Sequence, residues 1–254
     1  MKNRLSMRVM PAQGDSFEVN LEVGKIACSR SAGRDTAAIQ VGLNEARKQG
    51  YAVHGPAGIC YRSTYLLTNE NGIQVQGPQT SGEVEFVAFA HSQNIYISVG
   101  SDHNDRSLLE LWTSSLGRVY DTAKAKQMVP AVVAPVAWPY DDVRDHWDEL
   151  ILSSSVTVDG KAVPYQEYRL ADMLDLEYYL STQAWKGQDG EVLLGGSSGM
   201  LPTIPENIYQ GQDSFENVIF PSDFCFAMHD PLLERSISHR YTIAALEEPG
   251  SLSL

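Results

Sequence analysis

The chain has 254 residues, is 43% hydrophobic and 20% charged, and carries a formal net charge of −13. That is enough apolar material for one large core. The lack of any basic run or aromatic–basic interleaving excludes nucleic acid as an expected partner. No apolar run approaches the roughly 18 residues a membrane span needs, so none is expected.

The opening MKNRLSMRVMPAQGDSF has basic residues but no apolar stretch. It does not read as a secretion signal, and a cytoplasmic protein is expected. Cys28, Cys60 and Cys225 lack metal or redox spacing and read as free buried thiols. Residues 1–30 read as an N-terminal strand segment, 31–247 as the main domain, and 248–254 as a loose tail.

Phe17 to Val23 alternates in polarity and predicts a strand. Arg34 to Gln49 places apolar residues at helical spacing and ends at Gly50, which predicts an amphipathic helix. Pro56 to Leu67 leads into a strand, and Gly72 to Gln76 predicts a short one. Glu83 to Ala90 and Asn94 to Val99 predict a hairpin joined by His91-Ser92-Gln93. Asp105 to Leu116 is helix-compatible, Met128 to Val136 is an apolar run, and Asp141 to Leu150 predicts a short acidic helix. Ile151 to Val158 predicts a strand turned by Asp159-Gly160. Ala171 to Leu180 predicts a helix, and Glu191 to Leu194, Phe224 to Met228 and His239 to Ile243 predict short strands. Strands outnumber helices and do not alternate with them, so the class is a β-rich α+β domain with three or four helices.

Within SGEVEF (Ser81 to Phe86), Glu83 and Glu85 are two residues apart on a predicted strand, so their carboxylates point the same way. Like charges side by side destabilise a strand unless a counter-ion compensates them. Lys, Arg or a metal would serve. If the hairpin forms, Asp102 of SDHNDR returns near Glu85 and three carboxylates converge. Oxygen-only ligands favour a hard cation, Mg²⁺, Mn²⁺ or Ca²⁺, over Zn²⁺. The expected metal ligands are Glu83, Glu85 and Asp102.

Glu83-x-Glu85 followed by Asp102 resembles the E-x-E…D metal triad of the fumarylacetoacetate hydrolase superfamily. The blocks AGRDTAAIQVGLNE, SGEVEF, VGSDHNDR, HWDEL, PYQE and HDPLLERSISHRY together resemble one domain-of-unknown-function family of bacteria within it. The resemblance implies a mixed β-roll or distorted barrel around an Mg²⁺-type site. It also implies a homodimer, and chemistry on small 2-oxo or 1,3-diketo acids: C–C hydrolysis, decarboxylation or keto-enol isomerisation, with the metal stabilising an enolate. A member that kept the fold and lost the chemistry, as a binding or assembly protein, is the alternative.

By the same resemblance Lys126 matches the superfamily lysine, with Lys124 as its rival, and Gly196-Ser197 stands where a Gly-Thr pair is usual. Two further departures matter. The segment from Glu85 to Asp102 is shorter than in typical members, and no H-x-x-E dyad occurs at the expected place. His54 and His103 are the only early candidates for a base, so ketonisation or decarboxylation, which need a proton donor rather than an activated water, are favoured over hydrolysis. His103 is a candidate acid/base or a hydrogen-bonding neighbour of the metal aspartate. Arg106 is a candidate partner for the carboxylate cluster, the substrate carboxylate or Glu110. Gln166 is a candidate for reaching the substrate. Replacing Glu83 or Asp102 by Ala is expected to abolish metal binding without unfolding the chain.

Overall fold

The computed structural model describes residues 3–48, 58–108, 122–196, 204–210 and 216–246. The ten-stranded sheet is built along one path from eight strands: β2 (Phe17–Val23), β1 (Asn3–Val9), β12 (Val136–Pro139), β9 (Asn94–Ser101), β8 (Val84–His91), β15 (Glu191–Gly196), β3 (Lys25–Arg30) and β4 (Gly58–Arg62). β11 (Ala131–Val133) and β5 (Leu67–Thr68) attach beside β9. A five-stranded sheet runs β14 (Lys161–Arg169), β13 (Ile151–Val158), β16 (Asp223–Asp230), β17 (Arg235–Leu246), β6 (Gly72–Gln76). The short pair β7 (Thr80–Ser81) and β10 (Asn104–Asp105) pins the segment after β9. The helices with described bounds are α1 (Thr36–Lys48), α2 (Thr122–Gln127) and α3 (Leu176–Ser181). The β-rich α+β class expected from the sequence is the class found.

β8 shows why the site lies where it does. Val84, Phe86, Ala88 and Ala90 face one core, shared with Leu152, Phe224, Phe226 and Met228 of the five-stranded sheet. Val87 and Phe89 face a second core with Leu5, Met7, Val19 and Leu21. The strand is therefore buried on both sides, and alternation puts Glu85 on the side of Val87. Phe86 meets Trp147 edge-to-face at 5.1 Å. Burying a side chain of that size stabilises the fold by about 2–3 kcal/mol.

The predicted hairpin forms, with only Ser92 and Gln93 in the loop, at φ 51° and 65°. Both central residues in left-handed conformation make the turn whose twist matches the strands. Asp159 and Gly160, at φ 50° and 75°, turn β13 into β14 in the same way.

Two local expectations are corrected, and one strand is added. Asn3–Val9 is a strand not singled out in the sequence, in which Leu5, Met7 and Val9 point inward. The N-terminal strands are woven into the large sheet, with β1 paired to β12. The stretch 141–150 is not an α-helix but 3₁₀ turns, Tyr140–Asp142 and Arg144–Glu149, with His146 non-helical inside the second. The helix expected over 171–180 begins only at Leu176, because Asp175 caps it by accepting from the Tyr178 N–H at 2.8 Å. Ahead of it, Leu170–Asp172 is a 3₁₀ turn. Of the helix expected over 105–116, residues 106–108 are helical and 109–116 lie outside the described residues.

Candidate metal and oxo-acid site

Glu83 sits just before β8, and its carbonyl accepts from the Asp102 N–H at 2.9 Å, so the chain leaving β9 is tied to the chain entering β8. Gln166 on β14 locks the same point, its Oε1 accepting from Val84 N at 2.9 Å and Ser154 Oγ at 3.1 Å. Tyr168 donates to the Val84 carbonyl. Gln166 thus clamps the strand through its side-chain oxygen.

The two glutamates differ. Arg106 Nη2 donates to Glu83 Oε1 at 2.6 Å and its Nε to Ser81 Oγ at 2.7 Å. Burial pushes the Glu83 carboxyl up, but Arg106, Lys126 and Arg62 outweigh it and hold the group below its ordinary range. Glu85 is buried, and its Oε2 has no hydrogen-bond partner. Burial lifts it to about 8, against the opposing fields of Lys126 and Arg62 and with added repulsion from Glu83.

Asp102 is fully buried and held by two cations. Lys126 on α2 donates to its Oδ2. Arg62 at the end of β4 brings Nη2 within 2.9 Å of Oδ1, an ion pair without an aligned hydrogen bond. The same Nη2 donates to the His103 carbonyl at 2.8 Å. Lys126 is buried while Lys124 is exposed, so the lysine at the cluster is Lys126. Arg62 was not a candidate in the sequence; only a charge ending the alternating GICYR run hinted at it.

His103 has both ring nitrogens engaged, Nδ1 with Tyr241 Oη at 2.8 Å and Nε2 with Thr80 Oγ1 at 2.8 Å. Burial, with Arg106 and Arg62 nearby, lowers its pKa well below the usual value, so it is neutral. A neutral ring fixed on both sides supports the loop carrying Asp102, which fits the second of the two roles expected of it, a hydrogen-bonding neighbour of the aspartate, better than the acid/base role. Gly196 ends β15 opposite Glu85, and its N–H donates to Ser29 Oγ at 3.2 Å. Ser197, His54 and Glu110 lie outside the described residues.

Among the described residues no three His, Cys, Asp or Glu side chains are drawn together as ligands. The oxygen-only chemistry of Glu83, Glu85 and Asp102 nonetheless suits a hard cation. Glu83 and Glu85 lie near one another at the entry to β8, Asp102 is tied to Glu83 through the backbone, and Glu85 offers a buried oxygen without a partner. A buried, unpaired carboxylate is stabilised when a cation joins it.

A strand-rich α+β roll with carboxylates and cations buried at a strand entry defines the class of protein. Residues 30–241 match a family described as a protein of unknown function, DUF2848, and the chain belongs to that family. No curated protein matches the chain. Among solved structures, Cg1458 superposes with a TM-score of 0.58 at 12% identity, over 92% of this chain and 83% of that one. The apo form of 2-keto-3-deoxy-D-arabinonate dehydratase gives 0.56 at 13% identity, over 93% and 78%. The same dehydratase complexed with magnesium and 2,5-dioxopentanoate gives 0.52 at 10% identity, over 91% and 77%. At these identities the likeness is one of fold. No helix among the described residues is long and apolar enough to cross a membrane.

Proposed function

We propose that this protein is a metal-dependent enzyme of the fumarylacetoacetate hydrolase-like superfamily acting on a small 2-oxo or 1,3-diketo acid. The observation that carries the reading is the buried, partnerless Glu85 Oε2, with Glu83 close enough to repel it. The fold shared with a dehydratase solved with magnesium and a dioxo acid supports it. Glu83, Glu85 and Asp102 would hold Mg²⁺ or Mn²⁺, with Ca²⁺ as a further hard cation. When bound, such an ion supplies positive charge that stabilises an enolate oxygen.

The chain's own residues supply the rest. Arg106 fixes the orientation of Glu83 through a charge-assisted bond and a second bond to Ser81. Gln166 and Tyr168 hold the start of β8, so Glu83 and Glu85 keep their relative placement. Lys126 Nζ donates to Asp102 and is the proton donor proposed for a developing carbanion. Decarboxylation or ketonisation needs that donor and no activated water. Glu85 and the Tyr168 hydroxyl pack directly against Gly196, which leaves no room there for a side chain. A homodimer and a cytoplasmic location belong to the same proposal.

The test is thermal unfolding of chelator-stripped protein with Mg²⁺ or Mn²⁺, alone and with oxalate, an enolate mimic. Metal-dependent stabilisation that deepens with oxalate supports the reading. A midpoint unmoved by either ion would leave the fold as a scaffold, its carboxylates neutralised by Arg106, Arg62 and Lys126.

A further inference from the structure

Cys28 on β3 and Cys60 on β4 stand directly opposite each other in an antiparallel pair. Residues so opposed have Cα atoms about 4.5–5.5 Å apart, within the span a disulfide bridges. Both are buried free thiols, and Cys60 Sγ lies 3.7 Å from the Cys28 carbonyl oxygen. The pair is not in an apolar setting alone. Arg62 follows Cys60 by two residues on the same face of β4, and its Nε and Nη1 are buried without hydrogen-bond partners. Those donors favour an anion next to them. The thiol–thiol hydrogen bond, against burial and with help from Lys126, Arg30 and Arg62, brings Cys60 down to about 6. The same pairing pushes Cys28 up. One sulfur is thus the readier nucleophile, with the other poised across the strands.

We propose that Cys28 and Cys60 are a peroxide-responsive dithiol that closes to a reversible disulfide beside the carboxylate cluster. The Cys60 sulfur attacks hydrogen peroxide, the O–O bond breaks, an S–O bond forms and one water leaves. The Cys28 sulfur then attacks the Cys60 sulfur, the S–O bond breaks, the S–S bond forms and a second water carries away the thiol proton. Two thiols are oxidised by two electrons and one peroxide is reduced to two waters. Opposed Cβ atoms sit about 4.5–5.5 Å apart, wider than the roughly 3.5–4.5 Å a relaxed disulfide adopts. The closed bond therefore pulls the strands together and is easily reduced, as a switch requires.

Closure acts on the site through two neighbours. Arg62 moves with Cys60 and pairs with Asp102, and Ser29 moves with Cys28 and holds the Gly196 N–H. This coupling rests on the metal reading; the disulfide does not.

The experiment treats reductant-free wild-type protein with equimolar hydrogen peroxide, then alkylates it and maps peptides by mass spectrometry, with Cys225 as internal reference. The expected result is a linked Cys28–Cys60 peptide, reversed by dithiothreitol, with Cys225 still alkylated. The link vanishes in Cys28→Ser and in Cys60→Ser. Free alkylation of both thiols after treatment overturns the proposal, as does wild-type Cys60 reaching sulfinic acid with Cys28 still free. Mn²⁺ titration of the reduced and oxidised forms reads the coupling, expected as a roughly tenfold weaker affinity on oxidation. Equal affinities overturn the coupling. Absence of Mn²⁺ binding in both forms removes the metal reading, while the peptide map still decides the disulfide.

Discussion

Gly196 pairs in register with Glu85 across β15 and β8, and a methyl group on Gly196 would come within 2.7 Å of both Glu85 Cγ and the Tyr168 hydroxyl. The position is a glycine because Glu85 and the tyrosine that clamps Val84 both occupy the space above it. Gly196→Ala is expected to destabilise the protein by about 1–3 kcal/mol through overpacking, and to weaken Mn²⁺ binding by displacing Glu85. Urea unfolding and titration of the same sample check both; a variant as stable as wild type would contradict the packing.

Asp102 is a different case from the one its sequence context implied. Substitution by Ala is expected not to leave the fold untouched, because Arg62 and Lys126 would remain buried without their carboxylate. Removing one member of such a buried cluster costs about 3–5 kcal/mol. Denaturant midpoints of Asp102→Ala beside Glu83→Ala measure this, with the larger loss expected at Asp102. Equal, small losses would show that the cations find other partners.

His103 sets a pH limit. Its folded pKa lies well below the value of about 6.5 it has when unfolded. Between those two pH values the unfolded chain binds one proton more than the native one. Stability is therefore constant above about 6.5 and falls as pH drops, by at most about 1.4 kcal/mol per pH unit for this group. His103→Gln is expected to lower stability at neutral pH and flatten that limb between pH 6.5 and 5. An unchanged slope would assign the limb to another group.

Lys126→Met separates binding from chemistry. It leaves Glu83 and Glu85 in place, so Mn²⁺ binding is expected to survive while turnover of an oxo acid such as oxaloacetate falls by about 10²-fold or more, the scale of a lost proton donor. The readout is kcat against KM on metal-loaded protein. Full activity in the variant would remove Lys126 from the mechanism.

What was legible in the sequence followed local rules. Alternation predicted that Glu83 and Glu85 share one side, and the hairpin expected around His91-Ser92-Gln93 forms, but it returns Asp102 to Glu83, with Gly100 at the height of Glu85. The missed strand Asn3–Val9 also alternates, with Leu5, Met7 and Val9 inward, but its charged outer face masked it. The helix over 171–180 was misplaced because Asp175 starts a new element in mid-pattern. Arg62 and the Cys28–Cys60 pair were not legible, since each depends on the register of β4 against β3 and on contacts some 30 to 40 residues apart in sequence. The engagement of both His103 nitrogens depends likewise on Tyr241, 138 residues away.

The most direct test is calorimetric titration of Mn²⁺ into chelator-stripped protein, wild type beside Glu85→Gln. One ion per chain in the wild type, lost in the variant, is the result expected if Glu85 Oε2 is a metal ligand. No saturable binding to the wild type would mean that Arg106, Arg62 and Lys126 are the cluster's only cations, and the proposed metal-dependent chemistry would fall.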